Sequence, residues 1–285
     1  MTITELTPVG EIAAALPSSV RVFQRHGIDF CCGGKRALGD VCKERGLSFA
    51  ETVSAIRAST AQRAVERDWT HEPLQALIEH IVATYHDTLR EELPRLQALA
   101  ANVAHVHGGR APHLVEIAVT VDLLSEELST HMRKEETILF PAVRAIEERQ
   151  GNAGWLEAPI SVMEHEHDRA GALLSDLREL TCGYTPPDRA CPTTRALYQG
   201  LEELERAMHM HVHLENNVLF PRALGRQRAL LRLCWSVCDG VSRSRPTPAF
   251  SATTSTGHRH EHGFGELRQR SNRVLFSAGA KMMRS

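Results

Sequence analysis

The chain has 285 residues, 42% of them hydrophobic and 24% charged, the ordinary balance of a water-soluble globular protein with room for one large domain and a smaller one. Its net charge of −2 is uneven. Twelve Lys/Arg stand against three Asp/Glu from Arg222 onward, a net +9, leaving −11 for residues 1–221, so the body carries no basic stripe and no dedicated nucleic-acid surface.

The N-terminal MTITELTPVGEIAAALPSSV has neither a basic start nor a long apolar run, and no segment reaches the roughly 20 apolar residues that span a bilayer. The seven cysteines are an odd number. With no export signal, the expectation is a reduced, cytoplasmic protein without a membrane partner. Aromatics make up only 5% and turn signals are far apart, which favours helices; sixteen histidines raise the prior for metal chemistry.

Apolar residues recur at helical spacing through EIAAAL and VRVFQRHGI, break at DFCCGGK and resume through ALGDVCKERGLSFAETVSAI, so residues 1–60 form a small helical domain. Residues 61–69 read as a linker. A first long helix is predicted from Thr70, its N-cap, to about residue 104, with Pro94 kinking it or ending it early. Residues 105–112 form a loop, and a second helix runs to about 149. A third spans about 160–180, and a fourth about 194–220. Four long segments joined by loops predict an all-α four-helix bundle over 70–224. From residue 225 the chain turns basic and rich in Ser, Thr, Gly and Pro; a disordered tail is expected to 285, with a short helix at LLRLCWSVC.

HMHVHLENNVLFP, residues 209–221, holds three histidines at alternate positions. A helix turns about 100° per residue, so a pair at 209 and 213 competes with His211 and Glu215. An internal repeat decides. The pattern H-x3-E-x3-L-F-P occurs at 131–141 and again at 211–221, and Tyr85-His86-Asp87 matches Glu166-His167-Asp168 at an almost equal offset. The bundle therefore reads as two similar hairpins, which together select His86, His131, Glu135, His167, His211 and Glu215. A lone His-x3-Glu is usually a solvated helical pair; two copies, each preceded by a matching His-Asp helix, are not. Four imidazoles and two carboxylates suit a pair of metal ions, with Glu135 and Glu215 bridging and two histidines ending each. Asp87 and Asp168 point about 100° away from the ligand beside them. His165, His209 and His213 are expected on the surface or outside the ligand shell, and L-F-P is expected to pack and then stop the helix. Glu164 and His167 form a single Glu-x2-His, whereas the ferritin-like site needs two.

Residues 70–221 resemble the hemerythrin-like four-helix bundle. With Asp29-Phe30-Cys31-Cys32-Gly33-Gly34 in front, the chain resembles the repair-of-iron-centres proteins, over roughly residues 4–225. The resemblance implies a non-haem centre of two iron ions on the six residues selected by the repeat. It also implies a part in restoring iron–sulfur clusters after nitrosative or oxidative stress, with damaged iron–sulfur proteins as partners and nitric oxide or oxygen as the small ligand. Oxygen-carrying hemerythrins are similar in fold but use a fifth histidine and an aspartate, and no matching aspartate arrangement is present here, which counts against simple oxygen storage.

Adjacent Cys31 and Cys32 bridge only with strain; they are expected to be a reactive thiol site, which Cys42 is placed to join. The alternatives are a nitric oxide or peroxide reductase and an oxygen- or nitric-oxide-sensing module. Whether the N-terminal domain docks on its own bundle or, in a homodimer, on that of a second copy is open at this level. HRHEH, 258–262, is more simply a solvated segment than a metal site.

Overall fold

The computed structural model describes residues 1–61, 67–148 and 155–241, which are helical with no named strand among them. The N-terminal unit comprises α1 (Val9–Ala15), α2 (Val20–Arg25), α3 (Leu38–Glu44) and α4 (Phe49–Ala61). Its apolar positions close over a core of Ile12, Val22, Phe23, Phe30, Leu38, Val41 and Ile56. Four rods follow: α5 (Leu74–Ile81) continuing into α6 (Asp87–His107), α7 (His113–Lys134) into α8 (Phe140–Glu147), α9 (Glu157–Leu180), and α10 (Pro192–Leu214) into α11 (Phe220–Val241).

Three rods are not uniform. Each carries one turn of wide π-helix, at Val82–His86, Glu135–Leu139 and Glu215–Leu219. A π turn adds one residue to the ladder and rotates all that follows, and such turns are frequent at functional sites. They also correct the expectation that L-F-P stops a helix. Pro141 and Pro221 are the second residues of α8 and α11, which restart just after the π turns. There the ladder is already shifting register, and a missing N–H costs little at the start of a new α segment. Pro94 likewise lies inside α6, which neither ends nor restarts there.

Two further boundaries differ. Thr70 does not cap the first rod, because its N–H and hydroxyl bond to Asp68 at 2.9 and 2.5 Å. The helix starts after Pro73, and the open N–H groups of Leu74 and Gln75 are accepted by the Glu147 carboxylate at 2.8 Å each. A side chain from the next hairpin arm thus does the capping, a tertiary solution that local sequence does not reveal. At the other end, the change of character at 225 is not a structural boundary, since α11 runs through Gly225 to Val241 and takes in LLRLCWSVC. One helical glycine costs only about 1 kcal/mol, which flanking packing such as buried Ala223 and Gln227 offsets. Residues 242–285, including HRHEH, lie outside the described residues, as do 62–66 of the linker.

The bundle interior divides into two apolar layers. Leu89, Leu93, Leu124, Leu128, Met132, Leu174, Leu201 and Met208 belong to one. Leu77, Ile78, Ile81, Leu139, Phe140, Met163, Leu219 and Phe220 belong to the other. The polar residues selected by the repeat lie along the rods between these layers and are buried. The N-terminal unit has its own core yet forms one compact body with the bundle.

Candidate metal centre

All six repeat-selected residues converge, and each is buried to within 3% of full enclosure. The imidazoles meet in two pairs through their Nε2 atoms: His86 to His211 at 3.1 Å and His131 to His167 at 3.0 Å. Each carboxylate spans both pairs. Glu135 sets Oε2 3.4 Å from His86 and Oε1 3.4 Å from His131. Glu215 sets Oε1 3.1 Å from His211 and Oε2 3.1 Å from His167. Two four-residue groups result, His86/Glu135/His211/Glu215 and His131/Glu135/His167/Glu215, with the ligand atoms of each within 4.8 Å of one another. The π turns have a direct part in this, since His86 ends one and Glu135 and Glu215 open the others. Asp87 and Asp168 are exposed, as their 100° offset requires.

The electrostatics ask for cations. Both Glu135 oxygens and Glu215 Oε2 are buried without a hydrogen-bond partner. Burial alone would raise the carboxyls, but His131 beside Glu135, and His211 and His167 beside Glu215, outweigh it and hold both below the usual range. Conversely, burial would lower His131, yet Glu135, Glu215 and Glu166 push it up to about 10. Two buried carboxylates among four inward-facing nitrogens are balanced either by protons on the imidazoles or by bound metal ions. The donor set, imidazole nitrogen and carboxylate oxygen, fits first-row metals such as iron.

Outside this shell, the other ring nitrogens are held unequally. His86 Nδ1 lies 2.7 Å from Glu136, which also pairs with Arg90 at 2.5 Å. His131 Nδ1 lies 2.9 Å from Glu166, itself paired with Lys134. His167 Nδ1 lies 2.9 Å from Asn216 Oδ1. His211 Nδ1 has no partner, and its ring stacks on Tyr85 with centroids 5.3 Å apart. The sequence reading missed these groups, although the repeat contained them: Glu136 aligns with Asn216, and Glu166 with Tyr85.

The histidines beside these six residues have another task. Phe30 of the N-terminal unit meets His213 and His209 edge-on, at 5.5 and 6.1 Å. His213 is therefore not a surface residue; it is buried, and that burial lowers it to about 4 and keeps it neutral. His165 is exposed, as expected. Asn217 donates to the carbonyls of Phe30 and Cys31 at 3.0 and 3.4 Å. A Cβ on Gly34 would come within 2.6 Å of its Oδ1, so the second glycine of CCGG permits this close approach. Lys35 adds a salt bridge to Glu164 at 2.9 Å.

Docking in this way brings the paired cysteines to the bundle. Cys31 and Cys32 Sγ are 3.9 Å apart, and Cys32 Sγ lies 3.6 Å from the His167 carbonyl. Cys31 is buried against Asp29; its hydrogen bond to Cys32, then burial, then the Asp29 charge keep it protonated well above the usual thiol range. Cys42 does not join them, because it faces the N-terminal core and bonds Thr52 at 3.7 Å. The two thiols and His167 line a cavity of about 810 Å³ that also takes in Arg45, Arg178 and His209.

Buried histidines and carboxylates on a four-rod bundle define a hemerythrin-type cation-binding protein, and residues 77–223 match the hemerythrin HHE cation-binding domain. Residues 5–60 match ScdA_N, a domain of unknown function. The iron–sulfur cluster repair protein YtfE of Escherichia coli strain K12/DH10B is 42% identical over 217 residues, 76% of this chain and 96% of its own length. The proteins of the same name from Shigella boydii serotype 18 and Escherichia coli O139:H28 match to the same extent. The chain belongs to this YtfE family of hemerythrin-type proteins.

Proposed function

We propose that this chain is a non-haem di-iron protein that takes part in repairing iron–sulfur clusters damaged by nitrosative or oxidative stress. The observation that carries the reading is the pair of fully buried carboxylates set between two imidazole pairs, with three of their four oxygens lacking a hydrogen-bond partner. His86 and His211 would end one metal position, His131 and His167 the other, with Glu135 and Glu215 shared. Bound iron would supply redox chemistry and affinity for nitric oxide or oxygen. Around it the chain holds the imidazoles in place from outside, excludes water with the two apolar layers, and presents two thiols at the cavity beside His167. The relatives' name supports the repair role. The cytoplasm is the setting we infer, supported by the five described cysteines, all free thiols, and by the absence of a membrane-spanning helix among the described residues.

Reactivation of a nitrosylated iron–sulfur enzyme by the iron-loaded chain tests this. The wild type should restore activity, while Cys31→Ala/Cys32→Ala should keep its iron and fail. Full activity in that variant would remove the thiols from the mechanism, and no reactivation by the wild type would overturn the repair role. The cavity at His167 favours one alternative, reduction of nitric oxide or peroxide at the centre. Catalytic turnover with a reductant and no damaged protein would select it.

A further inference from the structure

We infer that the two metal positions are unequal by design of the outer residues, and that the His131/His167 position is the tighter and fills first. This rests on the di-iron reading. The inner atoms obey the internal repeat, which exchanges His86 with His167, His131 with His211 and Glu135 with Glu215. The residues that hold the imidazoles from behind do not. At the His131/His167 position both outer nitrogens are engaged, by Glu166 at 2.9 Å and Asn216 at 2.9 Å. At the His86/His211 position only His86 is, by Glu136 at 2.7 Å.

The cause lies in one substitution between the halves. Where the first pair has Glu166 accepting from His131, the repeat places Tyr85, which stacks on His211 with planes 4° apart and leaves His211 Nδ1 buried and unpartnered. A hydrogen bond on the outer nitrogen fixes the tautomer that leaves Nε2 free for metal and increases its basicity. Loss of such a partner typically costs about 10–100-fold in metal affinity. Each position has one carboxylate behind one histidine, so the difference reduces to the second histidine: Asn216 behind His167, a ring face behind His211.

The test is anaerobic titration of the metal-free full-length protein with iron(II) alone, and anomalous scattering at the iron edge from crystals loaded with one iron per chain. The first iron is expected among His131, Glu135, His167 and Glu215, with the second binding about 10–100-fold more weakly. Any two nearby cations repel, so the location of the first iron, not the separation alone, carries the test. Glu166→Ala, at a partly exposed position, removes the partner of His131, leaves Asn216 there against the Glu136 carboxylate at the other position, and should shift the first iron toward His86/His211. Tyr85→Glu installs the missing carboxylate and should strengthen the second step. Equal occupancy in the wild type, or first filling at His86/His211, overturns the inference and leaves the di-iron reading intact. No iron at either position overturns both.

Discussion

The two hairpins of the bundle are copies in their inner residues and strangers in their outer ones. The π turns at 135–139 and 215–219 illustrate this. Glu135 and Glu215 open them identically, and Leu139 and Leu219 pack alike at their ends. Between these fixed points, Thr137 and Ile138 face solvent, with Ile138 60% exposed, whereas Val218 is buried and Asn217 bonds the N-terminal unit. Helix α1 lies against the second π turn, and Ala14 packs into the layer that contains Val218. In the proposed di-iron reading, paired cations would constrain the donor atoms and their positions and leave what lies behind and beside those atoms free to take up docking or tuning. One half became the seat for the thiol-bearing unit, and the other kept an open face.

Phe30→Ala empties a site between the N-terminal core and the seat formed by His209 and His213. It should destabilise the protein by about 3–5 kcal/mol in denaturant unfolding. A change below about 1 kcal/mol would mean the unit is not anchored through Phe30. Asn217→Ala strips the donor from the Phe30 and Cys31 carbonyls and should cost about 1–3 kcal/mol. The same unfolding measurement on its counterpart, Thr137→Ala, should stay within about 0.5 kcal/mol, as an exposed change does. Equal losses at 137 and 217 would erase the asymmetry.

The loop inside the second hairpin, between α9 and α10, offers a smaller effect. Cys191 caps α10 and accepts from Thr194 N at 3.4 Å, with Thr194 Oγ1 at 3.3 Å and His107 Nε2 at 3.4 Å. The Thr194 bonds first, then His107, lower this thiol to about 6. A depressed acid is in its charged form above its folded value, so alkylation of Cys191 by iodoacetamide should rise through a midpoint near pH 6. The stability it lends should be present in full above about pH 9 and lost as pH falls through about 6. His107→Ala should move the alkylation midpoint upward. Peptide mass spectrometry finding that midpoint at the ordinary thiol value in the wild type would refute the assignment.

Much of the centre was legible because chemistry repeats. Two H-x3-E-x3-L-F-P elements and two His-Asp helices name the six residues, since metal ligation tolerates few substitutes at fixed helical spacing. The π turns were not legible, because a wide turn has no composition of its own, and so the prolines after them were read as stops. Glu147 capping the first rod, and Phe30 sitting on His213, are contacts between residues distant in sequence that local pattern does not encode. The outer partners lay in between. Aligning the repeats sets Glu136 against Asn216 and Glu166 against Tyr85, and a helical reading that asked what lies behind each imidazole would have found them.

In the proposed di-iron reading, Glu135 and Glu215 would be shared by two metals held between the imidazole pairs. The most direct test is the metal content and optical spectrum of the full-length protein purified with iron and zinc both available. Two irons per chain with an oxo-bridged ferric absorption are expected, both absent from Glu135→Ala/Glu215→Ala. Zinc in place of iron, or no metal at all in the wild type, would contradict it.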